Sequence, residues 1–268
     1  MDAKTVDART HEFDVQDIEY LRHGDKPLLA KVYKPRGEGP FPALVDLHGG
    51  AWCLADRNTD KVRHEVLAGH GVVVVSLDWR TAKEGAYPLA LADINYAIRW
   101  VKLHAKELKT RADLVGISGQ SSGGHLAMLA AYSSTGVPIR SVVSFYGPTD
   151  LTAMHADPPK PDPLRVPAKL EDLIGTTPTQ SPAAYRDASP VHYLRRGLPP
   201  TLQIQGARDH IVKPRFPREF HEQLLANGVR SLLLELPWSD HSFDFIYFGP
   251  GNTVALAYID AFLGATLR

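Results

Sequence analysis

Residues 119–124 read Gly119-Gln120-Ser121-Ser122-Gly123-Gly124. They follow the apolar run Asp113-Leu114-Val115-Gly116-Ile117-Ser118 and open a small-residue pattern at helical spacing, His125-Leu126-Ala127-Met128-Leu129-Ala130-Ala131-Tyr132. A strand that ends in Gly-x-Ser-x-Gly and turns at once into a helix is the nucleophile-elbow pattern. The turn is tight enough to strain the serine backbone, and bulky neighbours would clash, so Gly119 and Gly123 flank Ser121. The following helix aims its free first-turn N–H groups back at the serine, where they can stabilise a developing oxyanion. Taken alone, the pentapeptide is equally a glycine-rich turn that caps a helix. Its strand–turn–helix setting and the partners elsewhere in the chain decide between the two.

Working outward, residues 72–77 (Val-Val-Val-Val-Ser-Leu) form the plainest strand, β-branched and bounded on both sides. Residues 43–47 read as a buried strand ending in His48-Gly49-Gly50-Ala51-Trp52. Residues 13–20 alternate with period two, and 28–33 follow across a turn at His23-Gly24-Asp25, so an antiparallel pair is expected there. Further strands are expected over 139–146, 201–205 and 231–236. Helices are expected over 61–69, 89–108, 216–227 and 253–263. Strands alternating with helices imply an α/β fold, a mostly parallel sheet with helices on both faces, in a single domain over 1–268. Residues 151–200 differ: prolines crowd them from Pro158 to Pro200, and only 168–174 keep a helical period. That segment reads as a small cap or loop insertion rather than a second domain.

In such a sheet the functional groups gather beyond the carboxyl ends of the strands. A serine hydroxyl needs a base to take its proton, and histidine has the right pKa. His241, in the loop Trp238-Ser239-Asp240-His241-Ser242-Phe243 after the last strand, is the preferred base. His48 reads as structural, His125 as turned away from Ser121, and His64, His104 and His221 as solvated or partly packed helix residues. An acid must hold the imidazole's other nitrogen. Asp209 follows the strand at 201–205, with Asp150 as its rival, while Asp240 and Asp244 are too close in sequence to reach back to the ring. The order Ser121, Asp209, His241 is that of Gly-x-Ser-x-Gly hydrolases. The Ser122 amide and the low-bulk loop 48–52 are the expected oxyanion donors.

At 44% hydrophobic and 22% charged, the composition is that of a soluble globular protein. Thirty basic against thirty acidic residues leave no net charge and argue against a broad nucleic-acid footprint. The single cysteine, Cys53, excludes an intrachain disulfide framework. The polar start and the shortness of the longest apolar run (72–75) lead us to expect a cytoplasmic protein without membrane segments. No H-E-x-x-H or C-x-x-C spacing is present, so no metal or cofactor is expected.

From about residue 41 to 263 the chain resembles the α/β-hydrolase superfamily, in the esterase/lipase branch related to hormone-sensitive lipase and to carbohydrate and feruloyl esterases. The resemblance rests on His48-Gly49-Gly50, the Tyr87-Pro88-x-Ala90-Leu91-x-Asp93 segment after Asp78-Trp79-Arg80, the elbow, Asp209-x-Ile211-Val212 and His241. It implies a triad of Ser121, Asp209 and His241, with the amides of Gly50, Ala51 and Ser122 as the oxyanion hole. The hormone-sensitive-lipase branch usually has a third glycine at the position of Ala51 and an acid at that of Gln120. The short-capped carboxylesterase and arylformamidase-like relatives are nearer.

The implied activity is a serine carboxylesterase acting on small or short-chain esters through an acyl-enzyme. Alternatives are an arylformamidase or amidase with the same triad, a carbohydrate or feruloyl esterase, and a non-catalytic ligand-binding protein on the same scaffold. Trp52, Leu54, Tyr146, Trp238 and Phe243 neighbour the site in sequence and are expected to line an apolar substrate pocket. A homodimer through the sheet edge or terminal helix is compatible with the sequence, though no residue pattern specifies one. Cys53 sits beside the oxyanion loop but off the elbow, where a buried small hydrophobe is the expected role. Ser121→Ala is therefore expected to remove nearly all hydrolysis and Cys53→Ala to keep most of it; the reverse pattern in an ester assay would overturn the mechanism.

Overall fold

The computed structural model describes residues 11–133 and 137–267. Strands β1 (Phe13–His23) and β2 (Lys26–Pro35) pair antiparallel. Then come β3 (Phe41–Leu47), α1 (Lys61–Gly69), β4 (Val73–Leu77), α2 (Leu89–Leu103), β5 (Thr110–Gln120) and α3 (Ser122–Tyr132). The chain continues through β6 (Val142–Phe145), α4 (Leu151–Ala156), α5 (Val166–Ile174), α6 (Pro182–Asp187), β7 (Thr201–Gly206), α7 (Arg215–Ala226), β8 (Ser231–Leu236) and α8 (Pro250–Leu267). The eight strands form one sheet in the order β1-β2-β4-β3-β5-β6-β7-β8. It is parallel from β4 to β8, with β1 and β2 running antiparallel at one edge.

The apolar runs of the central strands follow from burial on both faces. Along β4, Val73, Val75 and Leu77 join one core with α2, α3 and α7, while Val74 joins a second core with α1 and α8. Some element ends differ from the sequence-based expectation. Helix α2 stops at Leu103, yet Leu108 is still buried, because the chain turns at His104 and folds back toward β5. Strand β6 keeps only four residues: it begins at Val142 rather than 139, and it ends at Phe145, where Tyr146 adopts φ 38°.

Residues 151–200 are more ordered than their composition suggests. The prolines there start short helical elements: Pro167 in α5, Pro182 in α6 and Pro190 in a 3-10 turn. A missing N–H costs nothing at those positions. Leu151, Met154, Val166, Leu170, Leu173 and Tyr185 join the same core as α2 and α3, so the segment is fastened to the body through shared burial.

The contact that positions the site is a backbone one. A Cβ added at Gly123 would lie 2.1 Å from the Leu47 carbonyl oxygen and 2.5 Å from that of His48, and one at Gly119 would lie 2.4 Å from the Gly123 backbone. These glycines let α3 press against the ends of β3 and β5. Gly123→Ala must push rigid backbone apart. We expect a loss of about 1–3 kcal/mol or more in urea unfolding together with loss of activity; an unperturbed variant would show that this approach is not needed.

Candidate active site

Ser121 stands between β5 and α3 at φ 51° and ψ −120°, a region that costs a non-glycine residue about 1–3 kcal/mol. Its amide donates to Phe145 O at 2.9 Å and its carbonyl accepts from the His125 amide at 3.0 Å, so the strained turn is held from both sides. His241 comes from the coil between β8 and α8. Its Nε2 lies 3.1 Å from Ser121 Oγ and its Nδ1 2.8 Å from Asp209 Oδ2. A carboxylate can only accept, so Nδ1 carries the proton and Nε2 is free to accept from the serine hydroxyl.

Asp209, just past β7, is itself fixed. Its Oδ1 accepts from the amides of Ile211 and Val212 at 2.9 and 2.8 Å, and its Oδ2 also accepts from Gln205 Nε2 at 3.0 Å. The rival acid Asp150 caps α4, accepting from the Ala153 amide at 2.9 Å. Asp240 binds His210, and Asp244 turns inward to Arg63 and Tyr146. Ser121, His241 and Asp209 thus form one hydrogen-bonded line.

The loop after β3 takes positive φ at Gly50 (111°), Ala51 (49°) and Trp52 (61°), wrapping it tightly past the serine. At Gly50 a Cβ would meet the Leu54 carbonyl at 2.3 Å, so glycine is required there. Gly49, Gly50 and Ala51 line a cavity of about 290 Å³ together with Ser121, His241 and Tyr146. Ser122 opens α3, and its amide is one of the first-turn donors that a helix leaves without an internal partner.

Of the expected pocket residues, Leu54 and Tyr146 line this cavity, joined by Ala55, Thr59, Leu164 and Phe245. Trp52 is buried and lines a second, much smaller cavity of about 20 Å³, which also reaches Ser121 and is closed by Met154, Val166, Ile211 and Val212. Trp238 and Phe243 do not face the serine. They line a separate cavity on the far side of His241, and Phe243 packs on Phe145 and Tyr146. Nearness to His241 in sequence does not say which side of its loop a ring takes. Leu164 and Phe245 carried no usable signal, since one lies in the insertion and the other beyond the histidine.

A buried charge cluster lies beneath the site. Arg63 of α1 reaches Asp244 at 2.9 Å, Asp60 at 3.0 Å and Asp46 at 3.4 Å. His64 Nε2 contacts Asp46 at 2.7 Å, and Ser118 donates to the same carboxylate. His64 is therefore fully buried and paired, rather than solvated or partly packed as its helix position suggested. Burial opposes the charge on Asp46, but Arg63, His64 and Ser118 overcome it and hold the carboxyl well below the usual range. Asp60 is pushed up to about 6 by burial, only partly offset by Arg63 and aggravated by Asp46 and Asp244. The one sequence signal was Asp46 itself, a carboxylate inside an apolar strand, which demands a buried partner.

Two further histidines near the site are buried in its framework. His48 stacks on Trp79 at 4.7 Å, and burial lowers its pKa. His125 is buried between the loop at 48–52 and the segment 151–200: Trp52 Nε1 donates to its Nδ1 at 3.1 Å, and its Nε2 donates to the Ala188 carbonyl at 2.7 Å. Burial lowers its pKa from 6.5 to about 4. Cys53 is buried as well.

The sheet order, the elbow and the residues gathered at the strand ends define an α/β-hydrolase. The chain belongs to the BD-FAE family, whose model matches residues 31–224. It is 29% identical to the probable carboxylic ester hydrolase LipM of Mycobacterium tuberculosis, across 92% of this chain and 60% of that protein. It is 30% identical to esterase LipC of the same organism, across 84% and 59%. The chain thus spans about 60% of the length of these curated relatives. Among solved structures, Pyrobaculum calidifontis esterase superposes with a TM-score of 0.83 at 26% identity, covering 99% of this chain and 93% of that one. Thermogutta terrifontis esterase 2, phosphorylated by paraoxon, gives 0.77 at 25% identity, covering 93% of each chain. Among the described residues no helix is long and apolar enough to cross a membrane.

His125 makes a pH prediction. Its folded pKa is depressed, so its contribution is fully present above pH 6.5 and is lost as the pH falls toward 4, at about 1.4 kcal/mol per pH unit. Asp60 acts in the opposite sense but is common to wild type and His125→Phe. Urea unfolding should therefore fall more steeply from pH 6.5 to 4 in the wild type than in His125→Phe; equal slopes would exclude His125 as the source.

Proposed function

We propose that the chain is a serine carboxylesterase that cleaves short-acyl esters through an acyl-enzyme. The observation that carries this reading is the hydrogen-bonded line Ser121–His241–Asp209 on the strained elbow, facing the Gly50–Ala51 loop. Ser121 Oγ attacks the ester carbonyl carbon while His241 Nε2 takes its proton, and Asp209 stabilises the resulting imidazolium. The amides of Ser122, Gly50 and Ala51 are the donors for the tetrahedral oxyanion. His241 returns the proton to the departing alcohol, then activates a water that releases the acid. The esterase names of the relatives support the reading.

The two cavities give it a direction. The leaving alcohol must lie beside His241, which gives it its proton, and of the two cavities that reach Ser121 only the larger is lined by His241. The acyl group is left with the smaller cavity, walled by Trp52, Met154 and Ile211. Its volume of about 20 Å³ is near that of one or two water-sized probes, which favours a short acyl chain and a larger apolar alcohol. With no disulfide partner for Cys53, a cytoplasmic setting suits the chain.

A fluorophosphonate probe followed by peptide mapping should label Ser121. With one alcohol held constant, kcat/KM should fall by about ten-fold or more from acetate to octanoate, because each methylene outside the small cavity loses its packing. Activity that rises steadily with acyl length beyond octanoate would refute the size argument. Faster cleavage of an N-formyl aromatic amine than of a matched ester would make the chain an amidase.

A further inference from the structure

His241 rides on the 237–249 loop, whose outer residues stand in solvent: Trp238 is 53% exposed, Ile246 70% and Phe248 95%. Such a loop needs an internal anchor if the imidazole is to keep its 3.1 Å contact with Ser121. Asp209 holds one ring nitrogen, and one hydrogen bond leaves the ring free to pivot about it. A further restraint comes from the same loop. Asp244, in the 3-10 turn Phe243–Phe245, points inward and is 2% exposed. One carboxylate oxygen accepts from Arg63 at 2.9 Å and the other from the Tyr146 hydroxyl. The Tyr146 ring in turn lies 4.4 Å from the His241 ring, centroid to centroid. The residue that pins the loop is therefore bonded to the residue that braces the imidazole face.

We propose that Asp244 is a positioning residue: through Arg63 and Tyr146 it fixes both the loop that carries His241 and the ring against which His241 rests. This builds on the assignment of Ser121 and His241 as nucleophile and base.

Arg63 suits the task because its guanidinium spans the elements that carry the site. It reaches Asp46 on β3, which leads into the oxyanion loop, and Gln120, the residue before Ser121, as well as Asp244. The neutral side chain at position 120 also fits. Asp46, Asp60 and Asp244 already share one guanidinium, and an acid at 120 would crowd it with a further buried negative charge. The amide oxygen instead lies 3.3 Å from the Tyr146 hydroxyl, whose proton goes to Asp244, and adds no charge.

The test compares Asp244→Ala, Asp244→Asn and Tyr146→Phe in the full chain. It uses steady-state kinetics on an aryl acetate, the rate of fluorophosphonate labelling at Ser121, and urea unfolding. Asp244→Ala is expected to lower kcat by about ten-fold or more, since small misplacements of a base are costly, with KM changing less than about three-fold. Labelling should slow in proportion.

Asp244→Asn keeps one oxygen that can accept from Arg63 and presents an N–H that the Tyr146 hydroxyl can accept, so the loop stays tied and part of the loss should be recovered. Tyr146→Phe keeps the ring and the Arg63 bond but removes the hydroxyl bond to Asp244, and should fall between wild type and Asp244→Ala. Should Asp244→Ala fail to fold, Tyr146→Phe decides. An altered unfolding midpoint with unchanged kcat and labelling rate, in Asp244→Ala or in Tyr146→Phe, overturns the proposal and leaves Asp244 purely structural. A wild-type protein that neither labels at Ser121 nor cleaves the ester overturns the parent assignment, and this inference with it.

Discussion

Everything at the site depends on how closely one helix can approach the ends of two strands. Without Cβ atoms at Gly119 and Gly123, α3 lies directly against the carbonyls of Leu47 and His48. That approach sets the serine and the loop after β3 side by side, because β3 and β5 are neighbours in the sheet and end at the same level. The strained φ of Ser121 follows from the same geometry: the chain must reverse from strand to helix within one residue, and the flanking hydrogen bonds to Phe145 and His125 hold it there.

A second tier of interactions works against the usual rule that interiors exclude charge. Arg63, Asp46, Asp60 and Asp244 are all nearly fully buried. Such clusters seldom raise stability compared with an apolar core of the same volume. What the cluster provides is direction. A guanidinium has fixed donor vectors, so segments that bond to it take defined orientations relative to one another. A greasy core would hold the strands together but leave the histidine loop free to choose among several packings.

Much of this was legible from residue order, and the reasons are local. Period-two and period-3.6 patterns marked most strands and helices, and Gly-x-Ser-x-Gly is a motif whose chemistry is confined to a few consecutive residues. Asp209 and His241 could be proposed because each follows a strand, and strand ends are where a parallel sheet gathers its functional groups. The rest depends on contacts that leave no local trace. Arg63 meets Asp244 across 181 positions and Gln120 across 57, and α1 shows no stripe that would announce a buried arginine. Trp238 and Phe243 flank His241 in the chain, yet both line a cavity that does not reach the serine. The insertion looked irregular because proline, which breaks long helices, is also well placed to begin short ones.

His125 gives the fold a further property. Its two ring nitrogens join the loop after β3, through Trp52, to the proline-rich segment 151–200, through the Ala188 carbonyl. The insertion is thus not an interchangeable module. A segment grafted from a relative to alter selectivity would have to present a backbone acceptor where Ala188 does, or bring its own substitute for His125. Chimaeras that respect this junction have a structural basis for keeping the loop beside Ser121 intact, and those that ignore it would change the catalytic floor along with the roof.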